Sequence, residues 1–99
     1  MKLNIAERIT LMSILPEKSN IVTMRLMQEL RTILGFTDEE IRKYGIKNDG
    51  DKIFWSSDFE KEIEINQTMT VEIKKRLQEI SDKNEVTVQM LPLYEKFGV

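Results

Sequence analysis

The stretch Phe36-Thr37-Asp38-Glu39-Glu40-Ile41-Arg42-Lys43-Tyr44-Gly45-Ile46-Lys47-Asn48-Asp49-Gly50-Asp51-Lys52-Ile53-Phe54-Trp55 changes its period midway. Its first half reads as a short helix with both ends marked. Thr37 and Glu40 have the spacing of a capping box, Asp38 and Glu39 sit where the helix dipole favours negative charge, and Gly45 stops the helix after Tyr44. The second half reads as a hairpin. Asn48-Asp49-Gly50-Asp51 is a tight-turn signal, because Gly, Asn and Asp tolerate positive φ, and Ile53-Phe54-Trp55 supply the return strand.

Working outward toward the N-terminus, Asn4 and Glu7 form a second capping box ahead of a helix from Asn4 to Leu15. Ile5, Ile9 and Met12 share one side of it, and Leu11, Ile14 and Leu15 widen the apolar surface, so burial on more than one side is expected. Pro16 ends the helix by excluding its predecessor from helical geometry. A longer helix runs from Ser19 or Asn20 to Leu34, with Val22, Leu26, Leu30, Ile33 and Leu34 as its core stripe and Gly35 as a left-handed stop.

Toward the C-terminus, Glu62-Ile63-Glu64-Ile65-Asn66 alternates with the period of a half-buried strand whose glutamates face outward. A helix starts near Thr68 with Met69, Ile73, Leu77 and Ile80 on one side. Asn84-Glu85 breaks it, and Thr87 caps a last short helix to Phe97 with Pro92 a turn in. The expected architecture is α+β: a single, mostly helical domain over residues 1–99, with about five helices and a small antiparallel sheet of a hairpin or three strands that must pack on helices. Three helices followed by a hairpin is also the element order of a winged helix.

Composition removes whole classes of chemistry. The 99 residues contain no Cys and no His. Disulfides, thiolate nucleophiles, Cys-ligated metals and any Ser-His-Asp or Cys-His arrangement within the chain are therefore excluded. Fifteen Lys+Arg against 17 Asp+Glu give a formal charge of -2, which argues against a general electrostatic grip on nucleic acid. No apolar run approaches the roughly 20 residues of a membrane span. Met1-Lys2-Leu3-Asn4 is followed by Glu7 and Arg8 where a signal peptide needs apolar residues, so a cytoplasmic location without membrane contact is expected.

The remaining motifs have structural readings. As a winged helix, the chain would aim Asp38, Glu39 and Glu40 at the major groove and Asp49 and Asp51 at phosphates, where donors are needed. Only Arg42, Lys43, Lys47 and Lys52 are basic nearby, so nucleic-acid binding is disfavoured and the architecture is kept apart from that function. Lys74-Lys75-Arg76 spans about 200° of its helix and has Glu72 and Glu79 as i, i+3 and i, i+4 partners. Asn48, Asp49 and Asp51 open like a calcium loop, but Phe54 stands where that loop needs glycine. Glu60, Glu62 and Glu64 share one strand face, the ordinary way to solvate an edge. The four glycines all lie at stops or turns, leaving no phosphate-binding loop. No catalytic, cofactor-binding or metal-binding residue is expected, and no cofactor.

The positive signal is a surplus of large apolar side chains: 12 Ile, 9 Leu, 6 Met, 5 Val and 4 Phe against a single Ala. In an extended strand Ile53 and Trp55 point to one side and Phe54 to the other, so a small sheet packed on one face leaves part of this set exposed. Phe54, Trp55, Phe59, Tyr94 and Phe97 are the candidate partner surface, for a protein partner or for self-association into a homo-oligomer.

The chain resembles small proteins encoded in bacterial phages and prophages. The resemblance is carried by Glu7-Arg8, Ile14-Leu15-Pro16-Glu17-Lys18, the Leu34-to-Ile41 segment, Ile53 with Trp55, Glu62-Ile63-Glu64-Ile65 and Leu93-Tyr94-Glu95-Lys96-Phe97. It implies a non-enzymatic accessory protein of phage type, and it carries over no functional residue.

Overall fold

A computed structural model describes residues 1–99 as an α+β fold. The elements, in order, are β1 (Lys2–Asn4), α1 (Ile5–Ile14), α2 (Ile21–Leu34), α3 (Asp38–Tyr44), β2 (Lys47–Asp49), β3 (Lys52–Phe54), β4 (Glu60–Glu62), α4 (Gln67–Asp82), a 3-10 turn (Val88–Met90) and α5 (Leu91–Phe97). Both capping boxes form. Asn4 Oδ1 accepts from Glu7 N at 2.8 Å and Glu7 Oε1 accepts from Asn4 N at 2.9 Å, while Thr37 and Glu40 make the same reciprocal pair on α3. On α4, Met69, Ile73, Leu77 and Ile80 all face the core.

The expected hairpin forms, and no third strand joins it. There are two separate antiparallel pairs, β1–β4 and β2–β3. The alternating segment places only its start in a strand, and its partner is Lys2–Asn4, with Leu3 opposite Lys61. A three-residue strand running straight into a helix cap shows no alternation to read. It forms because Leu3 is completely buried and because Met1 O accepts from Ile63 N at 2.8 Å.

A 14-residue apolar cluster gathers side chains from β1, α1, α2, α4 and α5, together with Leu15 and Ile63. Burying each of its Leu, Ile, Met and Phe side chains contributes about 1.5–3 kcal/mol. On α2 the buried stripe is Met27, Leu30 and Leu34, whereas Val22, expected in the core, is 75% exposed. Met27 takes the inward position a turn and a half further on, because α2 meets the core with its C-terminal half.

Gly35 is not the left-handed stop that its position suggests: its φ is -64° and ψ 162°. Arg8 supplies the termination instead. Its Nε donates to Leu34 O at 3.0 Å and its Nη2 to Gly35 O, satisfying carbonyls that the end of α2 leaves open. Nη1 donates to Glu40 Oε2 at 3.1 Å. The guanidinium also lies 4.2 Å from the centroid of the Phe36 ring and 5.8 Å from that of Phe59. Arg8 is fully buried, so a single side chain on α1 fixes the end of α2, the start of α3 and the loop before β4.

Burial pushes the Glu40 carboxyl up, but hydrogen bonds from Arg8 and the Thr37 N–H outweigh it. With the charges of Arg8 and Lys61 added, they hold its pKa at about 2 instead of 4.5. A carboxylate with a depressed native pKa stabilises the fold above its unfolded value, and that contribution is lost as pH falls from about 4.5 toward about 2. Urea unfolding should therefore find Glu40→Gln less stable than the wild type at about pH 6, with the gap closing by about pH 2.5. A gap independent of pH would contradict this assignment.

Candidate functional site

The five residues expected to form one surface divide among three environments. Phe97 is only 3% exposed and packs in the core from the buried side of α5. It is removed from the candidate surface because α5 packs back against α1 and α4 with Leu93 and Phe97 inward. Tyr94 is half-buried on the same helix; its hydroxyl donates to Leu77 O at 2.6 Å, and desolvation raises its pKa. Phe59 stacks on Tyr44, with ring centroids 3.8 Å apart and planes 7° from parallel, and forms part of the Arg8 surround. Phe54 and Trp55 remain together, on the hairpin.

That hairpin stands away from the core. All six strand residues, Lys47–Asp49 and Lys52–Phe54, are exposed. Phe54 is 51% exposed and Ile53 36%. Trp55 is half-buried, and none of Ile46, Ile53, Phe54 or Trp55 joins or packs on the apolar cluster. Ile53 belongs to the site on this geometry, although the candidate set built around aromatic residues omitted it. The register pairs Lys47 with Phe54, Asn48 with Ile53 and Asp49 with Lys52. One hairpin face therefore carries Lys47, Asp49, Lys52 and Phe54, and the other Asn48 and Ile53.

The base of the hairpin is fastened to the end of α3. Tyr44 O accepts from Ser56 N at 2.9 Å and from Ser56 Oγ at 3.0 Å, and Ile46 N donates to Ile41 O at 3.0 Å. Gly45 makes this junction with φ +63°, and a Cβ at that position would run into Ser56 Oγ. A shallow hollow of about 310 Å³ lies beside it, lined by Gly45, Lys47, Phe54, Trp55 and Ser56. The hairpin is thus held at its root and bare along its length.

Most other polar surface features are accounted for within the fold. A cleft of about 550 Å³ runs between the α1–α2 connection and α4 and is lined mostly by polar and charged residues. Its charged groups are largely paired: Arg76 Nε donates to Ile14 O at 2.6 Å and Nη1 to Glu79 at 3.2 Å, while Lys75 lies 3.8 Å from Glu72. These are the partners that the helical spacing predicts for Lys75 and Arg76. Asn48, Asp49 and Asp51 form the hairpin and its turn, and no group of three or more acidic side chains is arranged to hold a metal ion. No helix is long and apolar enough to cross a membrane. Ile21, Val22 and Val88 are exposed on other elements, and nothing in the structure explains them. No protein-family model, curated protein or solved structure matches the chain.

Two stability measurements check this division. Phe97→Ala should cost about 3–5 kcal/mol, whereas Phe54→Ser should stay within about 0.5 kcal/mol of the wild type. Comparable losses for both would place Phe54 in the core. Gly45→Ala should destabilise the chain by about 1–2 kcal/mol through its left-handed φ, with a further cost from Ser56. A neutral effect on the melting temperature would contradict the geometry of the junction.

Proposed function

We propose that this chain is a non-enzymatic interaction protein, an accessory protein of phage type, that docks a protein through its β2–β3 hairpin. The observation that carries the reading is the exposure of Ile53 and Phe54 on an element that contributes nothing to the core. Scattered apolar residues on a surface need no explanation, but here consecutive large residues expose one side chain on each face of a firmly rooted hairpin. They lie outside the apolar core, and removing their exposed area from water on contact with a partner is favourable at about 25 cal/mol per Å².

Chemistry around the hairpin favours protein over duplex DNA as the occupant. The flanking Asp38, Glu39, Asp49 and Asp51 are all exposed, and phosphate recognition calls for donors at such positions. Lys47 and Lys52 share a face with Asp49 and Phe54, so that face is mixed in charge and partly aromatic, as interface rims and anchors commonly are.

The reading is tested by placing a photoreactive phenylalanine analogue at position 54 in cells that make the protein, with the same analogue at exposed Glu29 on α2 as the control. A discrete protein adduct from position 54 and none from position 29 is the expected result. No adduct at 54, the same adducts from both positions, or adducts to nucleic acid alone would overturn it.

A further inference from the structure

Building on the reading of the hairpin as a docking element, we propose that its occupant is a second copy of this chain, joined by antiparallel pairing of the two free β3 edges about a two-fold axis at Ile53. The backbone geometry makes that edge available. In a hairpin with a two-residue loop, Asp49 and Lys52 form the closing hydrogen-bonded pair, so the N–H and C=O of Ile53 in the next pair turn away from β2. No loop main chain bonds to them, and β3 has no strand neighbour other than β2.

The side chains are self-complementary in this register. Ile53 faces Ile53 of the second copy at the axis, with each Trp55 one diagonal step away on the same face. On the opposite face Lys52 lies across from Phe54 of the second copy. Phe54 then stands between two lysine side chains, its own neighbour Lys47 and the other copy's Lys52, while Lys52 keeps Asp49 on its inner side. Lysine stems cover aromatic rings well, and the ammonium groups favour the ring faces. No like charges lie directly opposite one another, the two Lys52 side chains being only diagonal neighbours, and the exposed Ile53 and Phe54 are the residues that become covered.

The other free edges are less suited. Pairing β4 with its copy about Lys61 would set Glu60 against Glu62 of the copy, two carboxylates face to face. Pairing β2 about Asn48 would match Lys47 with Asp49, yet it would leave Ile53, Phe54 and Trp55 as they are. Each β3 strand is only three residues long, so the contact lies at the small end of specific interfaces and forms as concentration rises.

The test is light scattering and sedimentation of the whole chain from about 10 μM to about 1 mM. The expected result is a mass rising from 11.7 kDa toward twice that value, with the emission of Trp55, the sole tryptophan, moving to shorter wavelength over the same range. Ile53→Lys, which sets like charges together at the axis, should remain monomeric with an unchanged melting temperature, and Asn48→Lys should associate like the wild type. The chain has no cysteine, so Ile53→Cys should give a disulfide-linked dimer under mild oxidation while Asn48→Cys does not, a readout that stands even if Ile53→Lys fails to fold. A constant 11.7 kDa, undiminished association of Ile53→Lys, or loss of association in Asn48→Lys alone would overturn the proposal. A monomeric chain whose position 54 still crosslinks a different protein in cells would overturn the second copy and leave the docking reading standing, whereas failure at both would end both.

Discussion

A guanidinium removed from water must find a partner for each of its faces and donors, since an uncompensated buried charge costs several kcal/mol. Arg8 meets that demand with groups from distant parts of the chain: the last carbonyls of α2, the Glu40 carboxylate and the rings of Phe36 and Phe59. None of these is near it in sequence, so its burial requires α1, the α2–α3 corner and the loop before β4 to be assembled together. Its neighbour Glu7 is also buried and is held by the Asn4 N–H and by Lys96, which further donates to Lys2 O at 2.7 Å. The two charged residues near the start of α1 thus tie the middle of the chain, through Arg8, and its C-terminal helix, through Glu7, to one helix.

The position of the hairpin follows from this. Glu40 is at once the third residue of the α3 capping box and the counter-charge of Arg8, so the direction of α3 is set by the buried pair. Tyr44, at the far end of α3, then stacks on Phe59, which lies in the Arg8 surround, and its carbonyl receives Ser56. A short helix with no fully buried residue is held by its two ends, and it carries the hairpin outward from a fixed root. Rigidity at the root and exposure along the strands are compatible because the former comes from hydrogen bonds and stacking and the latter from the absence of core contacts.

Local signals in the sequence were legible where one residue's chemistry decides the outcome. Both capping boxes, the Gly45 stop, the turn at Gly50 and the stripe of α4 appear where spacing places them, because each depends on neighbours within a turn. What could not be read there depends on long-range partners. Gly35 looks like a left-handed stop until Arg8, 27 residues away, is seen to occupy its carbonyl. β1 is three residues long and exists through Ile63 and Met1. Of the candidate surface, Phe54 stayed exposed and Phe97 did not, since aromatic character does not tell which face of α5 turns inward. A clue to the buried pair was present in Glu7 and Arg8, which interrupt the apolar face of a helix already expected to be covered on more than one side.

The surplus of large apolar residues is therefore divided by geometry. A chain of this length supports only a modest core, and 14 buried apolar residues complete it from β1, α1, α2, α4, α5 and the segments beside them. The hairpin grows from α3, whose own anchorage is polar, so no core lies beneath its strands to take up Ile53 or Phe54. Substituting polar residues there would leave the core intact and would lower the apolar area that the folded monomer offers to solvent. The retention of two large apolar side chains at such positions is explained when a further surface covers them, and the free backbone groups of Ile53 give that surface the form of an added strand.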